Sequence, residues 1–377
     1  MQPASLPPLA AIARAPAGLL ADVVALCLDP IALPVLARAL DLGLLARLAR
    51  GPAAFPELAQ DLSQEPDSPS LELTVALARG VGLLAASGER LELTELARQC
   101  LLADSPLRLL GLVERHRRYI AAIADLPDAL CHTPRADRRL WSDRADAREQ
   151  AAYFAARRRF NEESRAYFWD SALLLARAHC DRDLRAHRVV CDIGAGPAAF
   201  AAILQRAAPH LQVHAAEVNY KDPEYLAVTA AALRHLGADV ALHPVNVLHE
   251  PLPPGIDLLT ANRLFSGLSR DGADGWARRL HAALAPGGAL ALVDFFALGD
   301  PAHDRALTRL VALWMAWNRH ELRRDPPTDP RDDRHAWGWN PPWHRDELAA
   351  VLARAGFCDI RARSVIPPFA LIEARRP

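Results

Sequence analysis

A run of β-forming residues, Val189-Val190-Cys191-Asp192-Ile193, runs into Gly194-Ala195-Gly196, and small and apolar residues then continue at helical spacing through Leu204. A strand that enters a helix through a tight glycine turn allows few folds. Glycine lets the backbone turn sharply and approach a ligand, and the helix amino terminus presents N–H groups that no helical carbonyl takes. The motif alone is shared by many nucleotide-binding folds.

The chain beyond the turn narrows the choice. Helices are expected at Ala198–Ala208, Pro223–Leu236 and Asp271–Leu284, and strands at Gln212–Val218, Asp239–Val245, Ile256–Asn262 and Ala289–Phe296. Such alternation predicts an α/β, Rossmann-like doubly wound sheet, whose ligands lie beyond the carboxyl ends of the strands. The candidate site is therefore Asp192, Gly194 and Gly196, Glu217, Asn246 and Val247, Asn262 and Arg263, and Asp294. An acid such as Glu217, closing the second strand, can accept both ribose hydroxyls. A last helix, Leu348–Gly356, precedes two strands, Cys358–Ile366 and Phe369–Ala374, joined by Pro367-Pro368. The final strand is expected to insert antiparallel.

Before the turn the pattern is mostly helical. Apolar helices at Leu19–Leu28 and Ala32–Leu48, a shorter one at Phe55–Leu62 and a segment at Ser70–Ala86 lead into Ser87-Gly88-Glu89-Arg90 and the alternating Leu91–Thr94. That order is winged-helix-like. A DNA reader needs several cations on its recognition helix, but Leu71–Arg79 carries one arginine and one glutamate, and the chain has 44 Lys and Arg against 45 Asp and Glu. Packing and subunit pairing suit the apolar excess better, and neither nucleic acid nor a charged membrane surface is an expected partner. The six cysteines are scattered without zinc-site spacing, so no metal and a reduced, cytoplasmic setting are expected. Acids and prolines interrupt Leu19–Leu48, which argues against a membrane span, and no signal peptide is expected. Three regions result: 1–110 a winged-helix-like domain, 111–185 a helical connector with aromatics (Tyr153, Phe154, Phe160, Tyr167, Phe168, Trp169), and 186–377 the Rossmann-like domain.

Taken together, these features resemble the class I S-adenosylmethionine-dependent small-molecule methyltransferases of the caffeate and hydroxyindole O-methyltransferase type. The resemblance rests on Ala76–Leu84, Leu91–Ala97 and Ala103–Pro106, then Phe160-Asn161, Asp192-x-Gly194-x-Gly196, Leu252-Pro253, Leu280–Gly288 and Ala355-Gly356-Phe357. It implies S-adenosylmethionine with its methionine part on Gly194 and Gly196, its amino group near Asp192 and Asn262, its ribose on Glu217 and its adenine between Asn246 and Val247. It also implies homodimerisation through the first domain and a hydrophobic aromatic or polyketide-like substrate of specialised metabolism.

One departure bears on mechanism. Relatives that methylate phenols carry a histidine base after the fourth strand, where this chain has Asn262-Arg263-Leu264-Phe265-Ser266, with Ser266 at the histidine position. An ordinary serine is no general base near neutral pH. Oxygen remains the first expected acceptor and carbon the second. Rival readings keep the cofactor for hydroxylation or a pericyclic reaction, or make the chain a winged-helix regulator. Substitute catalytic groups are His320, on the helix Asp304–Arg324, and Arg263. Phe160, Trp169, Phe265, Trp314, Trp317 and His344 are the expected substrate contacts, with Asp325–Pro341 as a lid.

Overall fold

The computed structural model describes residues 9–65, 68–105, 107–132, 147–265, 270–324 and 341–377. The chain opens with α1 (Leu9–Arg14), α2 (Ala17–Cys27), α3 (Ala32–Asp41), α4 (Leu44–Ala49), β1 (Ala53–Ala54), α5 (Phe55–Asp61), α6 (Pro69–Gly80), β2 (Leu84–Ser87), β3 (Arg90–Leu93) and α7 (Glu95–Cys100). The three strands form an antiparallel sheet in the order β1-β3-β2. Two expectations from the sequence are corrected in this region. The single helix expected over Ala32–Leu48 is broken at Gly43, whose φ of 72° is left-handed and ends the ladder. The segment Ser70–Ala86 is helical only to Gly80; Gly82, with φ 78°, turns the chain so that Leu84–Ser87 pairs with β3 as a hairpin.

The connector holds α8 (Leu110–Ala121), a single 3-10 turn at Ile123–Asp125, α9 (Leu126–His132), α10 (Ala147–Glu163) and α11 (Arg165–Arg177). The break expected at Leu126-Pro127 falls one turn earlier. Proline sits in the first turn of α9, where no helical partner for its missing N–H is needed. Helices α8 and α11 cross closely because Gly111 has no side chain: a Cβ there would stand 2.5 Å from the Ala166 carbonyl carbon. Asp170 on α11 accepts the Leu112 N–H of α8 at 2.9 Å, and burial pushes its carboxyl up to about 7.

The rest is β4 (Val189–Ile193), α12 (Ala199–Ala207), β5 (Gln212–Ala216), α13 (Pro223–His235), β6 (Val240–His243), β7 (Ile256–Asn262), α14 (Ala273–Ala283), β8 (Leu284–Asp294), α15 (Pro301–Arg324), α16 (Arg345–Arg354), β9 (Cys358–Ile366) and β10 (Phe369–Arg375). A seven-stranded sheet runs β6-β5-β4-β7-β8-β10-β9, parallel through β8. The last strand, β10, is antiparallel to both neighbours, as expected. Strand β8 starts at Leu284 rather than Ala289, because Leu284 already pairs with Ile256.

Each face of the sheet has its own core. One extends from Ile12 and Leu20 through α11 and α12 to Leu371, and so joins the first helices to the sheet; the other lies under α14 and α16. Helix α11 is buried along most of its length, which explains why its aromatics crowd before the glycine turn. No single helix among the described residues is long and apolar enough to cross a membrane. Because α8 and α11 meet at Gly111, Gly111→Val should lower unfolding free energy by about 1–3 kcal/mol, the usual cost of overpacking, in a denaturant titration. Unchanged stability would mean that the two helices are free to separate.

Candidate active site

The carboxyl ends of β4, β5 and β7 converge, and short-range hydrogen bonds fix their ends. Asp192 is 1% exposed, and its Oδ1 accepts from Thr260 Oγ1 and Asn262 Nδ2, both at 2.8 Å. Since Asp192 lies opposite Thr260 in the β4–β7 register, the first of these bonds crosses directly between strands. Burial drives the Asp192 carboxyl up to about 7, against the lowering effect of those hydrogen bonds.

Glu217 lies just past β5 and reaches back to the turn. Its Oε2 accepts the Gly196 N–H at 3.0 Å, and its Oε1 accepts from Asn219 N at 3.1 Å and Asn219 Nδ2 at 2.8 Å. Tyr220 donates its hydroxyl to the Gly196 carbonyl at 2.9 Å. Gly194 and Gly196 have φ of 64° and 52°. At Gly194 a Cβ would meet Leu264 Cδ1 at 2.9 Å, whereas at Gly196 it would meet nothing within 4 Å. The turn is thus braced from below and open above Gly196, which suits a ligand laid on bare backbone. Asn219 Oδ1 is buried without a hydrogen-bond donor, a ready acceptor beside Glu217. Further along the edge, Asn246 Oδ1 accepts the Leu248 N–H at 3.1 Å, and Val247 is buried next to it. These residues fit an adenosyl cofactor with a cationic amino group.

The substrate candidates divide. Phe160 and Trp317 come together around Arg115 of α8, whose guanidinium lies 5.2 and 4.5 Å from their ring centres. Arg263, at φ 59°, lies over Tyr167 at 5.0 Å and Phe295 at 5.4 Å. Trp314 is half-buried on α15. Trp169, on α11, is in the core. Phe265 is 1% exposed and packs edge-on against Trp276, in the core on the opposite sheet face from Tyr167. His344 caps α16, accepting the Asp346 N–H at 3.3 Å. His320 Nδ1 bonds Asp125 Oδ2 at 2.7 Å, and Arg323 holds the other oxygen of the same carboxylate at 2.6 Å. Ser266 and nearly all of the expected lid lie outside the described residues.

Several residues at the site had no sequence argument behind them: Thr260, Asn219, Tyr220, and above all Arg115, His116 and Tyr119. The signal for the last three was there, since Leu112, Arg115, His116 and Tyr119 share one face of α8 and a charged residue on an apolar face is unusual. Among the described residues no cluster of three metal-ligating side chains occurs. A cavity of about 660 Å³ lined by Arg182, His187, Asp257 and Arg375 lies at the other end of the strands, away from this edge.

No protein-family model and no curated protein sequence matches the chain. Solved structures do. Human N-acetylserotonin methyltransferase in complex with S-adenosylmethionine aligns over 92% of this chain and 94% of its own, with a TM-score of 0.63 and 19% identity. CalO1, a methyltransferase in calicheamicin biosynthesis solved with S-adenosylhomocysteine, aligns over 92% and 94% with a TM-score of 0.64 and 18% identity. The S-adenosylmethionine-dependent methyltransferase SibL aligns over 96% of both chains with a TM-score of 0.57 and 20% identity. The chain therefore has the fold of these methyltransferases along nearly its whole length, including the helical region ahead of the sheet.

The Asp192 carboxyl gives a test of this geometry. Its folded value near 7 stands above the ordinary carboxylate value of about 4, so its contribution to stability is complete below about pH 4 and is lost as pH rises towards 7. Asp192→Asn, which keeps an acceptor for Thr260, should flatten the stability profile of the free protein between pH 4 and 7. An unchanged slope in paired denaturation curves would show that Asp192 ionises as an ordinary acid.

Proposed function

We propose that the chain is an S-adenosylmethionine-dependent methyltransferase acting on a hydrophobic aromatic or polyketide-like small molecule, with oxygen as the favoured acceptor. The observation that carries this reading is the glycine turn braced by Glu217 and Tyr220 and open above Gly196, at the carboxyl edge of a sheet folded as in the neighbours. When bound, the cofactor would supply an electrophilic methyl group on a sulfonium.

In this reading the chain's own residues bind and orient. Backbone at Gly194 and Gly196 lies along the methionine part. Asp192 in its ionised form, with Asn262, offsets the cofactor's ammonium charge. Glu217 and Asn219 Oδ1 accept from the ribose hydroxyls. Asn246, with its carbonyl already engaged by Leu248, offers its amide N–H to a purine nitrogen, and Val247 supports the ring. Phe160, Trp314, Trp317 and Arg263 place the acceptor, and aromatic walls exclude water from the displacement. His320 shares Asp125 with Arg323, and its proposed role is to clamp α15 to the Ile123–Asp125 turn. Pairing of two copies through the first 110 residues and action in the cytoplasm complete the proposal.

Titration calorimetry with S-adenosylhomocysteine tests it. The unaltered protein should bind, and Asp192→Ala and Glu217→Ala should each weaken binding by roughly 30-fold or more, the weight of about 2 kcal/mol for a buried charged hydrogen-bond partner. His344→Ala, which only uncaps α16, should bind as the parent does. No binding by the parent, or equal affinity in both acid variants, would overturn the reading.

A further inference from the structure

Arg115 is 6% exposed, on the core-facing side of α8. Buried arginines ordinarily pair with an acid, because an uncompensated charge in a low-dielectric interior is costly. Among the described residues no carboxylate pairs with it. Its Nε donates to Tyr119 Oη at 3.0 Å and its Nη1 to Ser164 Oγ at 3.5 Å, and the rings of Tyr119, Phe160, Tyr167 and Trp317 stand 5.2, 5.2, 5.8 and 4.5 Å from its guanidinium carbon. Ring faces offset part of a buried cation's cost, but they are not counter-ions.

A second guanidinium shares the cluster. Arg263 lies 5.0 Å from the centre of the same Tyr167 ring, its backbone is held in a left-handed conformation by the Arg263 N–H to Val293 carbonyl bond at 2.8 Å, and its Nε is buried without an acceptor. Among the described residues no titratable group forms an ion pair with either guanidinium. His116 donates from Nδ1 to the Leu112 carbonyl at 2.8 Å, and burial first, then the two arginines, push it down to about 4, so it is neutral. Burial raises Tyr119 above its ordinary value, which keeps it neutral too. Arg157 stands 5.9 Å from the Phe160 ring centre. Of the acids on adjoining segments, Asp170 holds the Leu112 N–H at the start of α8, Asp125 is taken by His320 and Arg323, and Asp294, buried at the end of β8, accepts the Phe295 N–H at 2.8 Å and makes no ion pair with Arg115 or Arg263 among the described residues.

We propose that Arg115 and Arg263 bind the acceptor as an anion, so that this aromatic-walled pair selects molecules with an ionisable ring hydroxyl or enol and holds them as the oxyanion. The inference rests on the methyltransferase reading and deepens it. The acceptor's O–H proton leaves to water, the oxyanion stays between the guanidinium groups, and its lone pair then forms the O–CH₃ bond as the C–S bond of the sulfonium breaks and its electrons return to sulfur as a neutral thioether. An opposite charge at this range lowers a hydroxyl's pKa by roughly 1–3 units. A positioned histidine base is then unnecessary, which removes the difficulty posed by Ser266.

The full chain, without cofactor, is titrated with 4-nitrophenol, whose anion is yellow and whose neutral form is not; 4-nitroanisole serves as the permanently neutral analogue. The bound phenol should ionise about 1 unit or more below its value in buffer, and the anion should bind about tenfold or more tighter than the anisole. Arg115→Met and Arg263→Met should each abolish most of the shift, and Arg115→Lys should keep part of it. Should Arg115→Met fail to fold by circular dichroism, Arg263→Met and Arg115→Lys decide the matter. No shift in the parent protein, equal affinity for the anisole, or a shift that survives in Arg263→Met would overturn the proposal. Calorimetry with S-adenosylhomocysteine on the same samples separates the two ideas: cofactor binding without phenolate preference overturns the anion site alone, and phenolate preference without cofactor binding overturns the methyltransferase reading alone.

Discussion

The candidate site depends on one buried carboxyl. Oδ1 of Asp192 accepts two hydrogen bonds from β7, and these tie the carboxyl end of β4 to its neighbour where the chain must leave the sheet. Burying an acid is unfavourable unless its oxygens are matched, and at Asp192 burial raises the carboxyl despite the two hydrogen bonds that lower it. Such a group serves a cationic ligand well. In the proposed reading, the cofactor's ammonium group would supply the missing partner.

The glycine turn inherits its rigidity from this strand pair and from Glu217. Gly196 is held through both its N–H, by Glu217, and its carbonyl, by Tyr220, so the segment most exposed to ligand has its backbone polar groups satisfied by the protein itself. That arrangement pre-organises the cradle and lowers the ordering cost of binding. Leu264, in contact distance of any Cβ at position 194, links the turn to the segment that carries Arg263. The proposed cofactor and acceptor ends of the site are therefore mechanically adjacent.

Periodicity made the sheet legible. β7 and β9 have the bounds expected from the sequence, and the antiparallel last strand comes from the two segments joined by Pro367-Pro368. The candidate cofactor residues were chosen on the same ground, since a doubly wound sheet puts its ligands just beyond strand ends. The candidate substrate residues belong to different segments that only packing brings together, which periodicity does not reveal. Phe265 adjoins Arg263 in sequence, yet it turns to the core on the other face, against Trp276. Aromatic content could not say which ring faces a pocket. His344 was ambiguous between pocket and helix start, and the Asp346 N–H engages it as a cap.

Arg115 shows how the two halves of the chain become one site. Its helix, α8, packs on α11, which in turn lies against α12 and the sheet face beneath the glycine turn, while Trp317 arrives from α15 and Arg263 from the end of β7. Within α8 only Tyr119, four residues on, supports the buried guanidinium. The ring faces that surround it come mostly from three other segments, so the cluster exists only when the connector is docked on the sheet. A charge that is tolerable only in the assembled fold, and is still without an acid among the described residues, couples formation of the acceptor site to folding of the whole chain. The same α8–α11 contact that Gly111 makes possible thus sets both the packing of the connector and the position of the cation.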